Sequence, residues 1–393
     1  MELKQNVALS ALKGYKNTVI GVIPEDWVVT RLGDVLKIRH GKSQKEVEVI
    51  NGKYPILGTG GIMGATNTYL YNKQSVLIGR KGTIDKPRFM DTPFWTVDTL
   101  FYSEIFENAI PKYLFYNFLL IDWYSHNEAS GVPSLNASKI ENIKIPMPST
   151  KEEQKSIAQV LTDTDNLIQT IEQKLSKKRN IKQGAMQQLL TPKKDWEVKK
   201  LPDVCWFQEG PGLRNWQFTK NGMKVINVTN LVNGYLNLDK TDRHISMKEF
   251  ENMYKHFEID ENDIVMASSG NSYSKVAVVR KQDLRLLMNT SVIRFKPING
   301  LDYNYLLIFL KSNTFKDQID LLITGGAQPN FGPFHLNKID IFLPPTKNEQ
   351  TKIATILKDM DNEIEQLEEK LSKYKLLKQG LMQNLLTGKI RLV

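Results

Sequence analysis

Residues 145–191 read IPMPSTKEEQKSIAQVLTDTDNLIQTIEQKLSKKRNIKQGAMQQLLT, and residues 341–387 read IFLPPTKNEQTKIATILKDMDNEIEQLEEKLSKYKLLKQGLMQNLLT. They lie 196 residues apart, align without a gap and agree at 26 of 47 positions. A repeat this long dictates architecture before any other signal is weighed. In the second copy one heptad position is filled by Leu357, Ile364, Leu371, Lys378 and Leu385, and the other by Ile353, Met360, Leu367, Tyr374 and Leu381. In the first copy the same two positions hold Leu161, Ile168, Leu175, Lys182 and Leu189, and Ile157, Thr164, Ile171, Lys178 and Ala185. A stripe two positions wide in seven is a coiled-coil seam. Thr150 followed by Glu153, and Thr346 followed by Glu349, form capping boxes that start each helix. Lys178, Lys182 and Lys378 break the stripe, and Gly184 and Gly380 weaken the helix, so the seam is expected to open toward the C-terminal ends.

A weaker repeat lies upstream. Asp26-Trp27 through Arg31-Leu32-Gly33-Asp34-Val35 matches Asp195-Trp196 through Lys200-Leu201-Pro202-Asp203-Val204 at an offset of 169. The second unit is therefore 27 residues longer, and the sequences between the two repeats are barely alike. The expected plan is an N-terminal segment at 1–25 packing near the C-terminal helix, a variable domain at 26–149, a helical spacer at 150–194, a second variable domain at 195–345 and a second spacer at 346–393. Short apolar runs at Tyr54–Leu57, Ser75–Gly79, Phe94–Val97, Asp263–Ala267, Lys275–Val279 and Thr290–Phe295 read as strands. Helices are expected at Pro111–Leu120 and Asp302–Leu310. The fold class is α+β: two pseudo-repeated strand-rich domains separated by two long antiparallel helices. Because Leu385-Leu386-Thr387 followed by Ile23-Pro24-Glu25-Asp26-Trp27 would mimic the join at Leu189-Leu190-Thr191 and Asp195-Trp196, the chain should close on itself as a pseudo-twofold ring with neighbouring termini.

Composition narrows the function class. The 393 residues carry 53 Lys+Arg against 43 Asp+Glu, a formal charge of +10 spread along the chain and largest over 151–194. That balance favours nucleic acid only mildly. No secretory leader or membrane-length apolar run is present, and the single cysteine, Cys205, can form no intramolecular disulfide, so a cytoplasmic protein is expected. Gly41-Lys42-Ser43 lacks the glycine a phosphate-binding loop needs at position 36, which is Leu36. Gly58 to Gly64 misses a dinucleotide fingerprint at Met63, and the five histidines show no metal spacing. Glu153-Gln154-Lys155 and Glu368-Glu369-Lys370 copy a nuclease triplet but sit on charged helix faces. Leu343-Pro344-Pro345-Thr346 lacks the polar and aromatic ends of an amino-methyltransferase loop, and no nucleophile elbow occurs. No catalytic constellation emerges.

Two diverged domains joined by paired helices suit a ruler carrying two readers, recognising two different half-sites at a set spacing. The chain resembles the specificity subunit of type I restriction-modification enzymes through Ile23-Pro24-Glu25-Asp26-Trp27, Arg31-Leu32-Gly33-Asp34-Val35, Ile78 to Thr83, Ile145-Pro146-Met147-Pro148 with Glu153-Gln154, Lys182-Gln183-Gly184 and Leu189-Leu190-Thr191, with Leu343-Pro344, Glu349-Gln350 and Lys378-Gln379-Gly380 repeating the helical part. The resemblance implies a non-catalytic DNA-recognition subunit. Each domain would read one half of a bipartite site. The helices would set the gap and dock two methyltransferase subunits that use S-adenosylmethionine. Restriction subunits using ATP and Mg would join that core. No cofactor is expected on this chain. The alternatives are the specificity part of a fused restriction-methyltransferase system and a coiled-coil scaffold without DNA specificity.

Polar and basic residues in glycine-bearing loops are the candidates for DNA contact. In the first domain these are Arg39, Lys42, Arg80, Lys81, Thr83, Lys86, Arg88, Ser134 and Asn136. In the second they are Arg214, Asn215, Asn227, Asn230, Ser268, Ser269, Asn271, Ser272, Tyr273, Lys275, Gln328 and Asn330. Phe94, Trp95, Phe101 and Trp123 are expected in the core rather than as stacking platforms.

Overall fold

The long repeats form two helices of 39 residues, Lys151–Leu189 and Lys347–Leu385, in a computed structural model that describes residues 14–323 and 329–392. At about 1.5 Å per residue each is roughly 58 Å long. Thr150 and Thr346 cap them, their hydroxyl oxygens accepting from Glu153 N at 3.3 Å and Glu349 N at 3.2 Å. The Glu153 carboxylate does not complete a capping box; it accepts from Trp27 Nε1 at 3.1 Å, tying the helix start to the first domain.

The chain divides into two compact units, residues 1–173 with 368–393, and residues 174–367. Each unit contains the same parts in the same order: the C-terminal part of one long helix, one strand-rich domain and the N-terminal part of the other helix. In the first unit that order joins the two ends of the sequence, since residues 368–393 belong with residues 1–173.

Within the first unit a four-stranded antiparallel sheet has the order 36–39, 100–105, 75–79, 88–90; within the second the order is 205–209, 292–297, 264–267, 276–278. A two-stranded ribbon closes each domain at its helix, pairing 28–31 with 144–147 and 197–200 with 340–343. Each unit also has a second sheet containing a parallel pair, three-stranded in the first unit with Leu57 opposite Thr96 and four-stranded in the second with Ile226 opposite Met288. The second domain also carries the hairpin 231–232/235–236. Helices occupy 111–120 and 303–311.

The duplication extends to individual hydrogen bonds. Leu32 N donates to Ile143 O at 2.8 Å and Leu201 N to Ile339 O at 2.9 Å. Ile110 N donates to the Gln154 side chain at 2.9 Å and Asp302 N to that of Gln350 at 3.0 Å. Tyr113 Oη donates to Pro146 O at 2.8 Å and Tyr305 Oη to Phe342 O at 2.7 Å. Gln154 and Gln350, both buried, thus use the helix starts to hold equivalent domain turns, which accounts for the glutamine repeated in both copies. In the main core cluster of each unit domain residues meet the helix stripe: Trp27, Leu32 and Tyr113 with Ile157 and Leu161, and Trp196, Leu201 and Tyr305 with Ile353 and Leu357.

The seam is unequal between copies. Ile157, Leu161, Ile168, Ile171 and Leu175 are buried, as are Ile353, Leu357 and Leu385, whereas Leu189, Met360, Ile364, Leu367, Leu371 and Leu381 are half-buried. The seam does not open at its lysines. Within the second unit Lys178 pairs with Glu363 and Lys182 with Asp361; within the first, Lys378 lies 2.6 Å from Asp165 and Lys375 2.7 Å from Glu172. Long Lys stems cover the apolar stripe while their ammonium groups reach acids on the other helix. The pairing is antiparallel in both units.

The described part of the N-terminal segment is a hairpin, Tyr15–Thr18 with Gly21–Pro24. The chain end returns to it: Tyr15 Oη donates to Gly388 O at 3.2 Å, and Arg391 grips Asp26 through two bonds of 2.8 Å.

Candidate nucleic-acid interface

In the first unit a cleft of about 890 Å³ opens at the end of strand 36–39. Arg39, Lys42, Arg80, Lys81, Ser134 and Asn136 all line it. Arg39 is aimed by Glu104 at 2.8 Å, a bond that also holds its guanidinium more firmly protonated than usual. Arg80 reaches Asp98 O at 3.3 Å, and Lys81 is exposed. Asn136 caps the helix 137–142, its side chain accepting from Ser138 N at 2.9 Å. Lys37, Arg39, Lys42, Arg80 and Lys81 face Glu104, Glu128 and Glu141, a surplus of basic charge suited to a phosphate backbone. Thr83, Lys86 and Arg88 do not line the cleft. Lys86 is exposed beyond it, and Arg88 braces a hairpin by donating to Gly58 O at 3.3 Å and Thr59 O at 2.8 Å.

The cleft floor is a small frame of two loops. Lys81 forms an isolated bridge with Ser134, Gly82 N donates to Pro133 O at 2.9 Å, and Leu135 N donates to Arg80 O at 2.9 Å. Gly82 takes a φ of 87°, open to glycine with little strain. The second unit repeats this frame bond for bond. Ser269 bridges Asn330, Gly270 N donates to Pro329 O at 2.9 Å with φ of 67°, and Phe331 N donates to Ser268 O at 3.0 Å. Beside each frame ends the strand carrying a glycine pressed against backbone: a Cβ on Gly41 would lie 2.0 Å from Val97 O, and one on Gly210 would lie 2.3 Å from Asn289 O.

The second-domain candidates divide accordingly. Ser269 and Asn330 display side chains from the frame, and Asn271 and Lys275 are exposed in the adjoining loop. Ser272 is half-buried there, and Tyr273 is anchored, donating to Asp320 at 2.7 Å beneath Lys316. Two residues expected to face DNA are interior. Ser268 is fully buried at the start of the frame, and Asn230 is fully buried, accepting from Asn227 N at 2.9 Å and donating to Asn237 O at 2.9 Å, so it shapes a turn. Asn227 itself caps that turn by accepting from Thr229 N. Arg214 and Asn215 are exposed on a separate turn, and Gln328 lies outside the described residues. Phe94, Trp95, Phe101 and Trp123 are buried, as expected for core residues.

The duplicated frames coincide with a recognised pattern. The model of the type I restriction modification DNA specificity domain matches residues 24–178 and again 193–373. The chain belongs to the type I restriction-modification DNA specificity family. DNA sequence recognition accordingly falls to two domains, one in each unit, and a specificity subunit works within a complex. Among similar proteins, the type I restriction enzyme MjaVIII specificity subunit of Methanocaldococcus jannaschii is 29% identical over 94% of both chains. The putative MjaX specificity subunit of the same organism is 26% identical over 96% of this chain and 97% of its own. The fold matches the type I S subunit from M. genitalium at a TM-score of 0.64 and 16% identity, covering 92% of this chain and 96% of that one. A chain from a study of complex assembly and conformational transition in the type I system matches at a TM-score of 0.58 and 12% identity, covering 94% and 99%.

The sequence reading did not include His40 or Glu209 among the contact candidates. They occupy equivalent strand ends, each one residue before its pressed glycine, and the offset of 169 already aligned them. His40 packs edge-on to Phe101 at 4.9 Å in the cleft. Glu209 accepts from Thr290 at 3.4 Å, and burial lifts its carboxyl above the ordinary range. Among the described residues no cluster of three or more His, Cys, Asp or Glu is placed to hold a metal, and no helix is long and apolar enough to cross a membrane.

Proposed function

We propose that each recognition domain reads one half of a bipartite, non-palindromic DNA site, and that the paired long helices set the gap between the halves. The observation that carries this reading is the pair of identical backbone frames bearing different side chains. Lys81 and Ser134 occupy the positions that Ser269 and Asn330 fill in the other unit. One framework presenting different donors and acceptors suits two readers of different sequences, since specificity resides in base-edge contacts while the backbone fixes position. The helices also dock two methyltransferase subunits, which hold S-adenosylmethionine and methylate adenine N6; restriction subunits with ATP and Mg join that assembly. The present chain is non-catalytic and acts in the cytoplasm.

The test is to co-express the chain with its adjacent methyltransferase gene in an unmethylated host and map N6-methyladenine by long-read sequencing. A single gapped, asymmetric motif is expected. An assembled, S-adenosylmethionine-supplied complex that marks no motif would contradict the reading.

A further inference from the structure

Trp216 is 81% exposed, while Trp206 is 39% exposed and the other four tryptophans are 9% or less. An indole left in water forgoes the burial that normally accounts for its place in a fold. Nor is it loosely held. Trp216 sits in a single 3₁₀ turn, Asn215–Gln217, clamped by the next residue. Gln217, 6% exposed, accepts from Arg214 N at 2.7 Å through its side-chain oxygen and donates to Tyr254 Oη at 3.0 Å and to Glu249. Leu213 and Phe218 on either side pack onto the cluster of Met223, Ile245 and Phe250. The turn is thus fixed from beneath and presents its aromatic ring outward.

The segment that carries Trp216 is itself basic and suits a polyanion, with Glu249 engaged beneath the turn by Gln217. Residues 210–224 carry Arg214, Lys220 and Lys224 and no acidic residue. The segment leaves the second-domain site directly: Gly210 N donates to Val292 O at 3.1 Å, and the preceding Glu209 bonds Thr290 and faces Gly332, just after the frame residue Asn330.

We infer that Trp216 is a base-stacking residue of the second recognition domain, seated against an unstacked base or base step of its half-site. This inference rests on the two-reader function proposed above. Every base offers a π-face, so an indole there adds affinity with little sequence preference, and an aromatic wedge lowers the cost of opening a base step. Pre-ordering the turn means that no loop entropy is lost when the contact forms.

The test uses the full chain co-purified with its methyltransferase, with fluorescently labelled duplexes carrying the mapped site and a 2-aminopurine reporter in the second half. Trp216→Ala is expected to weaken binding about tenfold or more and to abolish the reporter change, whereas Trp216→Phe keeps the reporter change and most of the affinity. The methylated motif is expected to stay the same in both variants. Binding by Trp216→Ala within about twofold of the unchanged chain, with the reporter signal intact, would overturn the inference while leaving the two-reader function standing. Loss of methyltransferase co-purification by a Trp216→Ala chain with an unaltered melting curve would overturn it too, marking a protein contact instead. A complex with no preference for any duplex would instead remove the two-reader function, and the stacking role with it.

Discussion

At the residue scale, Arg391 closes the first unit. Its guanidinium reaches Glu153 at 2.5 and 2.9 Å and Asp26 at 2.8 Å, and it lies 5.8 Å from the Trp27 ring centre. Glu153 is only 4% exposed, so removing Arg391 leaves a carboxylate in the interior with Trp27 Nε1 as its remaining side-chain donor among the described residues. Breaking such a pair costs several kcal/mol when both partners are buried. Because the Arg391 side chain is 22% exposed, about 1–3 kcal/mol is expected for Arg391→Ala. The repeat counterpart of Glu153, Glu349, meets the more exposed Lys193 at 3.1 Å, and Lys193→Ala should cost under about 1 kcal/mol. Denaturant titration of the two variants decides this; equal losses would mean that the Arg391 cluster is no lock. Cys205 supplies a second prediction. Burial pushes its thiol up to about 12, so it should resist thiol reagents at pH 8 until the protein unfolds. Its contribution to stability is fully present below the unfolded thiol value of 9.0 and falls as pH rises toward 12. A rapid native reaction would refute the burial argument. This is also the scale at which the sequence was least informative. Ser268 and Ser269 are chemically identical neighbours, yet Ser268 is buried while Ser269, at the bridge to Asn330, is half-buried. Neither composition nor spacing gives that difference without the strand register. Asn230 reads as a polar loop residue, but its amide satisfies turn groups that would otherwise lie buried and unbonded.

At the scale of elements, the long helices were legible because a heptad stripe and caps are local patterns. The frames were not, because their bonds join segments far apart in sequence whose side chains have diverged. Gly82 and Gly270 are separated by 188 residues, Pro133 and Pro329 by 196. What is preserved is backbone geometry, which one sequence expresses only through a glycine and a proline at the right places. The same feature makes the frame testable as a module. Lys81→Ser with Ser134→Asn gives the first domain the bridge pair of the second without touching any frame bond. The double variant should change or relax the first half of the methylated motif, with about 1–3 kcal/mol of lost discrimination per affected base pair, and leave the second half unaltered. Methylome mapping of the variant checks both parts. An unchanged first half would show that the bridge pair reads no bases, and a changed second half would show that the domains are not independent readers.

For the whole molecule, the gap hypothesis can be tested by changing only helix length. The ion pairs between the long helices fall on either side of residues 173 and 368: Asp165 with Lys378 and Glu172 with Lys375 within the first unit, Lys178 with Glu363 and Lys182 with Asp361 within the second. Inserting four residues between 173 and 174 and four more between 367 and 368 therefore keeps both partners of each of these four pairs in register. An insertion in one helix alone would shift the pairs of one unit past each other and confound length with stability. Four residues add about 6 Å and one turn plus roughly 40° of rotation. That length is close to two base pairs at ~3.4 Å each. The doubly extended chain, co-expressed with its methyltransferase, should mark a motif with both halves unchanged and a gap longer by about two base pairs. The small excess rotation should weaken methylation without moving the gap further, because base-pair spacing changes only in whole steps. If the old gap persisted with full methylation, helix length would not be what spaces the half-sites, and the spacing would have to come from the methyltransferase subunits. A domain exchange at residues 26–149 separates these cases further, since independent readers on a helical ruler predict a new first half at the old gap.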